Sequence, residues 1–474
     1  MTRTRRTRTT AAAVLVVAAL VAGACAGGDD EARPPAEEEP VPTTETTTTL
    51  VDPATLDGAE LVGETYVAGF PLVVSVRTLQ RLGGLLGVNN LFWQSELSGP
   101  DSRFIVAPNR DTLYSIAVLD LRGEPMALTL PEVTDRYYTY QFLDAWTESF
   151  AYIGTRATGG RAGTWVVTPP GWSGELPDGA ERIESPTPQV FLLGRFLVDD
   201  EADIANVHAI RRQTTLQPLS ALTGDPAAPP PPPLGAPAGT AQDIPADRSF
   251  FPELDAALAV NPPTTDHQRA LFDRYAAVQA DLDPAVLDEG AALGADRIAD
   301  LVATGTGADR LVNGWSANPD IGTYGDDLET RALVAKIGWG ANVVEEALYP
   351  VTRVDADGER LDGSGGAVYR ITFRPGELPP VEAFWSLSVY GADMFFAPHP
   401  SGRYAIGDRT PGLVRGDDGS LTILLSHDDP GDPTANWLPV PDGPFVLMLR
   451  LYLPGPALID GSYAYPPVER LDAP

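Results

Sequence analysis

The sequence predicts an α+β protein, mostly β, with an N-terminal antiparallel β domain carrying helices, a helical connector and a C-terminal antiparallel sandwich or jelly roll. Three observations carry this. Strand-like runs occur early at Thr112 to Leu121, Arg136 to Leu143, Thr164 to Thr168 and Pro188 to Val198. Helical periodicity then occupies Thr264 to Thr304 and Asp327 to Leu348. From Val351 onward, apolar runs alternate with turn pairs such as Asp357-Gly358, Asp418-Gly419 and Asp442-Gly443, the chemistry of hairpins.

Residues 1–24 read as an export signal. Arg3, Arg5, Arg6 and Arg8 precede an apolar stretch from Ala11 to Val21 that is too short to span a bilayer, and Ala22-Gly23-Ala24 is a small-residue cleavage site. Cys25 follows at once and is the sole cysteine of the chain, so no intramolecular disulfide can form. Its place after small residues resembles the lipobox of bacterial lipoproteins, which implies lipidation of Cys25 and anchoring on the outer face of the cell membrane. Ordinary secretion is the alternative. Residues 25–55, rich in Glu, Pro and Thr, form a solvated acidic tether.

The N-terminal α+β domain is expected over 56–225. It opens with helical spacing from Leu61 to Leu86, in which Pro71 should kink or restart the helix. Pro108-Asn109-Arg110-Asp111 is the turn that leads into the first long strand, and a short amphipathic helix over Ala202 to Gln213 carries His208. Residues 226–250 are a proline-rich linker with an uninterrupted run from Pro229 to Pro233. In the helical connector, 251–350, Thr264 or Thr265 caps the first helix, Asp283-Pro284 interrupts the pattern and Pro350 stops it. Residues 351–474 make the C-terminal β-sandwich.

Charge narrows the function classes. With 65 acidic and 33 basic residues the formal net charge is −32, and phosphate backbones would be repelled, so no nucleic-acid partner is expected. The membrane, through lipid on Cys25, and a small-molecule ligand are the expected partners, and the composition is compatible with a homo-oligomer. A nucleophile elbow, a zinc-protease helix motif, a phosphate-binding loop and a dinucleotide fingerprint are all missing from the sequence.

Two sets of motifs resemble known families. PNRDTLYSIAVLDL, RYYTYQFLDAWTESFA, GTWVVTPPGW and VFLLGRFLVDDEADIANVHAIRRQ are similar to the bacterial domain of unknown function numbered 1254. FWSLSVYGADMFF, HPSGRYAIGDRT, DGSLTILLSHDDPG and NWLPVPDGPFVLMLRLY resemble the domain of unknown function numbered 1214, which often follows the first in one chain. His399 stands where the second family more often has Asn. The resemblance implies a mostly β N-terminal domain and a jelly-roll-like C-terminal domain bridged by helices, and it implies no catalytic residue.

Candidate site residues therefore come from chemistry. Asp111 and Asp144 end or begin strands that could pair, and two carboxylates in an apolar cleft are how acid and base pKa values are driven apart. With Arg110 they form the candidate catalytic set for hydrolytic or eliminative chemistry on a small polar or carbohydrate-like substrate in an interdomain cleft. Asn109, Tyr114, Trp146, Arg409 and His427 are candidate ligand-binding residues. Binding of a solute or envelope component without turnover is the alternative. No cofactor and no metal site are expected, calcium at the Asp428–Asp432 loop being the one alternative, because that loop is rich in oxygen but holds a single His.

Overall fold

The computed structural model describes residues 50–103, 107–307 and 309–471. The export signal, Cys25 and most of the tether lie outside the described residues. Helix and strand each account for 27% of the chain, in several antiparallel sheets flanked by helices.

Helix α1 (Gly58–Leu86) runs through Pro71 without a break. The expected restart does not occur, because neighbouring helices hold α1 along its length. The helix is long and apolar enough to cross a membrane, yet it is mostly buried within the protein. Glycines allow the closest of these approaches, since a Cβ on Gly290 would meet the Val62 Cβ at 2.4 Å. Helices α2 (Ile204–Gln213), α3 (Phe250–Leu258), α4 (Asp266–Ala276), α5 (Pro284–Thr304) and α6 (Leu328–Ile337) complete the major helical elements.

Thr265 caps α4 through a capping box with Gln268, and Asp283 caps α5 with Pro284 in the first turn. The helix expected to reach Leu348 ends at Ile337. Gly338 and Gly340, the latter with φ 85°, release the chain there, and Ala347–Leu348 becomes a strand. The proline-rich segment is strapped to α1, where Arg77 and Gln80 donate to the carbonyls of Thr240, Asp243 and Leu234.

Three strands organise the first sheet: β1 (Thr112–Asp120), β2 (Tyr138–Asp144) and β3 (Gln189–Leu197). Strand β3 lies between β1 and β2, with Phe92–Trp93 and Ser149–Gly154 at the edges. One face packs Leu113, Ala117, Tyr138 and Leu192 against a second sheet that contributes Met126, Leu128 and Trp165. The other face sets Ile116, Val118, Phe191 and Leu193 against Leu79 and Leu82 of α1.

The C-terminal sandwich is built on β4 (Val368–Phe373), β5 (Val381–Gly391), β6 (Leu421–Ser426) and β7 (Phe445–Pro454). Strands β5 and β7 pair antiparallel at the centre of one sheet, and β4 and β6 pair in the other. Between them Trp385, Leu387, Leu447 and Leu449 meet Tyr369, Ile371 and Ile423. Side chains alternate faces along a strand, so Phe384, Ser386, Ser388 and Tyr390 of β5, with Met448, Arg450 and Tyr452 of β7, point away from this core. That outward face is buried too, for it meets the N-terminal domain: Tyr137 packs on Phe384 and Tyr452 at ring separations of 5.6 and 5.2 Å.

Candidate functional site

The turn before β1 brings the two domains together. Asn109 Oδ1 accepts from the backbone N–H groups of Asp111 and Thr112 at 3.0 and 2.8 Å, a local turn that fixes where Asp111 points. The Asp111 carboxylate reaches across the domain boundary. It accepts from Ser386 Oγ at 2.6 Å and from Arg409 Nη2 at 3.1 Å. The Arg409 guanidinium lies 4.3 Å from the Phe384 ring centroid and also donates to the Val198 carbonyl at 3.0 Å.

Asp144 does not join this group. Both β1 and β2 pair with β3 instead of with each other, and Thr112 faces Leu197 whereas Asp144 faces Val190. Seven positions along β3 separate them, roughly 23 Å at the strand rise. General acid and base groups must reach their proton directly or through one water, so the expected Asp111–Asp144 pair is not assembled. Asp144 Oδ1 instead accepts from the backbone N–H groups of Trp146 and Glu148, while Oδ2 is buried without a partner. Burial pushes its carboxyl up to about 7 against the pull of Arg331.

The other candidates divide. Trp146 is fully buried, donates from Nε1 to the Pro262 carbonyl at 3.0 Å and packs on Phe272, so it is core. Arg110 turns aside to the Ser98 carbonyl at 2.8 Å and the Tyr404 ring. His427 donates from Nδ1 to the Val440 carbonyl and sits 5.3 Å from the His399 ring, in a separate cluster with Trp437. In the Asp428–Asp432 loop, the calcium alternative, Asp429 and Asp432 accept from the N–H groups of Gly431 and Thr434, so both carboxylates serve their own turns. No group of three or more His, Cys, Asp or Glu suited to a metal ion occurs among the described residues.

Tyr114 leads to residues that the sequence did not single out. Its hydroxyl accepts from Asn109 Nδ2 at 2.8 Å, and the same amide reaches the Tyr452 hydroxyl at 3.4 Å. Tyr114 is the cross-strand neighbour of Arg195, which faces Thr139 on its other side. Arg195 donates to Gln141 Oε1, Asn342 Oδ1 and the Gly340 carbonyl at 2.9, 3.0 and 3.1 Å. Asn342 Nδ2 in turn donates to the Tyr349 hydroxyl at 2.7 Å, and the Arg450 guanidinium stands 5.7 Å from the Tyr349 ring centroid. Arg450 donates from Nη2 to the Ala107 carbonyl and the Tyr390 hydroxyl.

A polar seam thus runs between the two β domains, with Arg195 on β3 and Arg450 on β7 facing a shared set of phenols. Burial raises the pKa of Tyr349 and Tyr390, and that of Tyr452 much further, so these hydroxyls stay protonated. Two buried atoms at the seam, Thr139 Oγ1 and Arg450 Nε, have no hydrogen-bond partner among the described residues, and Ser388 Oγ stands beside the Tyr390 hydroxyl. Three of the six non-glycine residues with positive φ among the described residues stand beside the seam. Ala107, Met394 and Leu453 have positive φ of 48°, 61° and 53°, and such residues persist where the surroundings over-determine them. Two surface depressions of about 10 Å³, room for roughly one water, lie outside this phenol and arginine cluster.

One signal in the sequence could have found the two arginines. Each is the sole charge inside a strand buried at every residue, QVFLLGRFL for Arg195 and FVLMLRLYLP for Arg450. A charge in such a run demands a partner that the strand itself cannot supply.

The fold and seam define a two-domain α+β protein whose polar cluster belongs to neither domain alone. Residues 88–218 match the protein of unknown function family DUF1254, and residues 346–456 match the protein of unknown function family DUF1214. The chain pairs these two domains, DUF1254 first. Tyr114, Thr139 and Arg195 fall within the first, and Tyr349, Ser388, Arg450 and Tyr452 within the second.

Among solved structures, the VPA0106 protein from Vibrio parahaemolyticus is similar at 22% identity and a TM-score of 0.67, over 87% of this chain and 100% of that one. This likeness shows a shared fold. A putative uncharacterized protein from Burkholderia cenocepacia aligns over 87% of this chain and 94% of its own, at 15% identity and a TM-score of 0.43. No curated protein matches the sequence.

Proposed function

We propose that this protein is a lipid-anchored extracytoplasmic module that binds a small polar solute in the seam between its DUF1254 and DUF1214 domains. The observation that carries the reading is the seam itself. Side chains from both sheets bury their polar atoms face to face, and Thr139 Oγ1 and Arg450 Nε have no hydrogen-bond partner among the described residues. Leaving buried polar atoms unpaired costs about 1–3 kcal/mol each, so a region that holds two of them beside two buried arginines is suited to a ligand able to complete their bonds. Turnover by an Asp111–Asp144 pair is not favoured, given their separation along β3. The anchor rests on Cys25 following Ala22-Gly23-Ala24 behind a short apolar run.

Two measurements test the reading. Expressed with its leader, the wild-type chain should partition with membranes and Cys25→Ala should appear in the soluble extracytoplasmic fraction; equal partitioning of both would remove the anchor. A thermal-shift screen of small polar solutes should find at least one that stabilises the wild type and fails to stabilise Tyr349→Phe. A screen in which every hit acts equally on both proteins would remove the seam as the binding site.

A further inference from the structure

We infer that the seam takes a small oxyanion, a carboxylate or phosphate group, held between Arg195 and Arg450. The inference rests on the seam being a binding site and names the chemistry of what binds there.

Four arginines are buried among the described residues: Arg77, Arg195, Arg331 and Arg450. Arg77 holds Glu253 through two hydrogen bonds of 2.6 and 2.7 Å, and Arg331 holds Glu148 at 2.7 Å. Arg195 and Arg450 make no ion pair with any described residue, in a chain that carries 65 acidic side chains. Neither arginine can escape its charge by losing a proton. Their hydrogen bonds go to amide and backbone carbonyls and to one phenol, all neutral acceptors. The nearby buried carboxylate, Glu346, is already taken by the Tyr137 hydroxyl at 2.8 Å and by Arg156 Nε at 2.6 Å.

The donors around the two arginines are also in excess. The hydroxyls of Tyr114, Tyr349 and Tyr452 each accept from an Asn amide, which leaves their protons to be donated. Arg450 Nε adds another donor. A site of two fixed positive charges and several protonated phenols lacks an acceptor that is itself negative. Carboxylate and phosphate supply this, and guanidinium forks match their geometry. A neutral sugar would meet the donors but leave both charges uncompensated.

The full mature chain, exchanged into chloride buffer, is the material for the test. Sodium phosphate and sodium succinate are titrated in separate arms against sodium chloride of equal ionic strength, with Tm as the readout. At least one oxyanion should raise Tm in a saturable manner where chloride does not. Arg450→Met should abolish the shift, and Tyr349→Phe, which keeps the ring, should weaken the apparent affinity about tenfold or more. Should Arg450→Met fail to fold, the Tyr349→Phe comparison carries the test. Ion chromatography of acid-denatured protein should also release an oxyanion near one per chain before exchange.

Wild type indifferent to both oxyanions, with none released, overturns the inference. If glucose or another neutral solute then stabilises the wild type but not Tyr349→Phe, the seam remains a binding site and only the oxyanion falls. If nothing binds, both fall.

Discussion

The helical side of the protein and the seam between its β domains treat the same buried residue differently. Beneath the helices, Arg77 and Arg331 are each matched to a glutamate. At the seam, Arg195 and Arg450 are equally buried and are matched only to neutral groups. Burying a guanidinium costs several kcal/mol unless an opposite charge and full hydrogen bonding offset it. The helical side supplies the opposite charge from within the chain, although Arg331 Nε has no hydrogen-bond partner among the described residues. The seam supplies no such charge among the described residues, and the proposed oxyanion site rests on this difference.

The largest expected effect probes the paired side. Arg331→Met would strand Glu148 and leave the Trp146 carbonyl without its 2.7 Å donor, so denaturant unfolding should show a loss on the order of 3–5 kcal/mol. Arg450→Met, in oxyanion-free buffer, should cost only about 1–2 kcal/mol, from the bonds to Ala107 and Tyr390. Equal losses for the two would break the comparison.

Asp144 sharpens it through pH. Burial raises its folded-state carboxyl from 3.8 to about 7, so the native state binds the proton more tightly than the unfolded chain. Its contribution to stability is therefore full below about pH 4 and is lost as pH rises through about 7. Asp144→Asn keeps an oxygen for the Trp146 and Glu148 N–H groups and cannot ionise. Between pH 5 and pH 8 the variant should gain on the order of 2 kcal/mol relative to wild type, read from unfolding curves at the two pH values. A constant difference across that range would mean that Asp144 is ionised throughout.

The Asp111–Arg409 contact, which joins the domains beside the seam, should matter less. Asp111→Asn and Arg409→Ala are each expected to cost about 1–2 kcal/mol, with a double-mutant cycle showing coupling of about 1 kcal/mol. Additive losses would show that the two side chains touch without supporting each other. Smallest of all, chelation by EDTA should leave Tm within roughly 1 °C, because the Asp429 and Asp432 carboxylates already satisfy their own turns. A larger fall would restore the calcium loop.

Much of the element pattern was legible in the residues. The run Leu421 to Ser426 is the observed strand β6, and Thr112 to Leu121 differs from β1 by a single residue, since alternation and turn chemistry are local signals. The helix from Asp327 failed at its far end, where Gly338 and Gly340 outweigh the apolar spacing that continues beyond them. Asp111, Arg409, Asn109 and Tyr114 stand out by local polar density, and the structure places them at or beside the seam. Arg195 and Arg450 carry a fainter signal, a lone charge in a largely apolar run, whose burial only the structure shows.

By itself, then, the sequence determined the α+β class, the succession of strands and helices, and the pairing of two recognisable domains, because periodicity, capping and turn residues act over a few positions. Tertiary structure alone decided that β3 would lie between β1 and β2, sending Asp111 and Asp144 to opposite ends of one sheet. It alone decided that the outward face of β5 and β7 would close on β1 and β3, setting two unpaired arginines in one seam. Strand order and domain docking depend on which distant surfaces bury the most apolar area together, and no local window of sequence contains that choice.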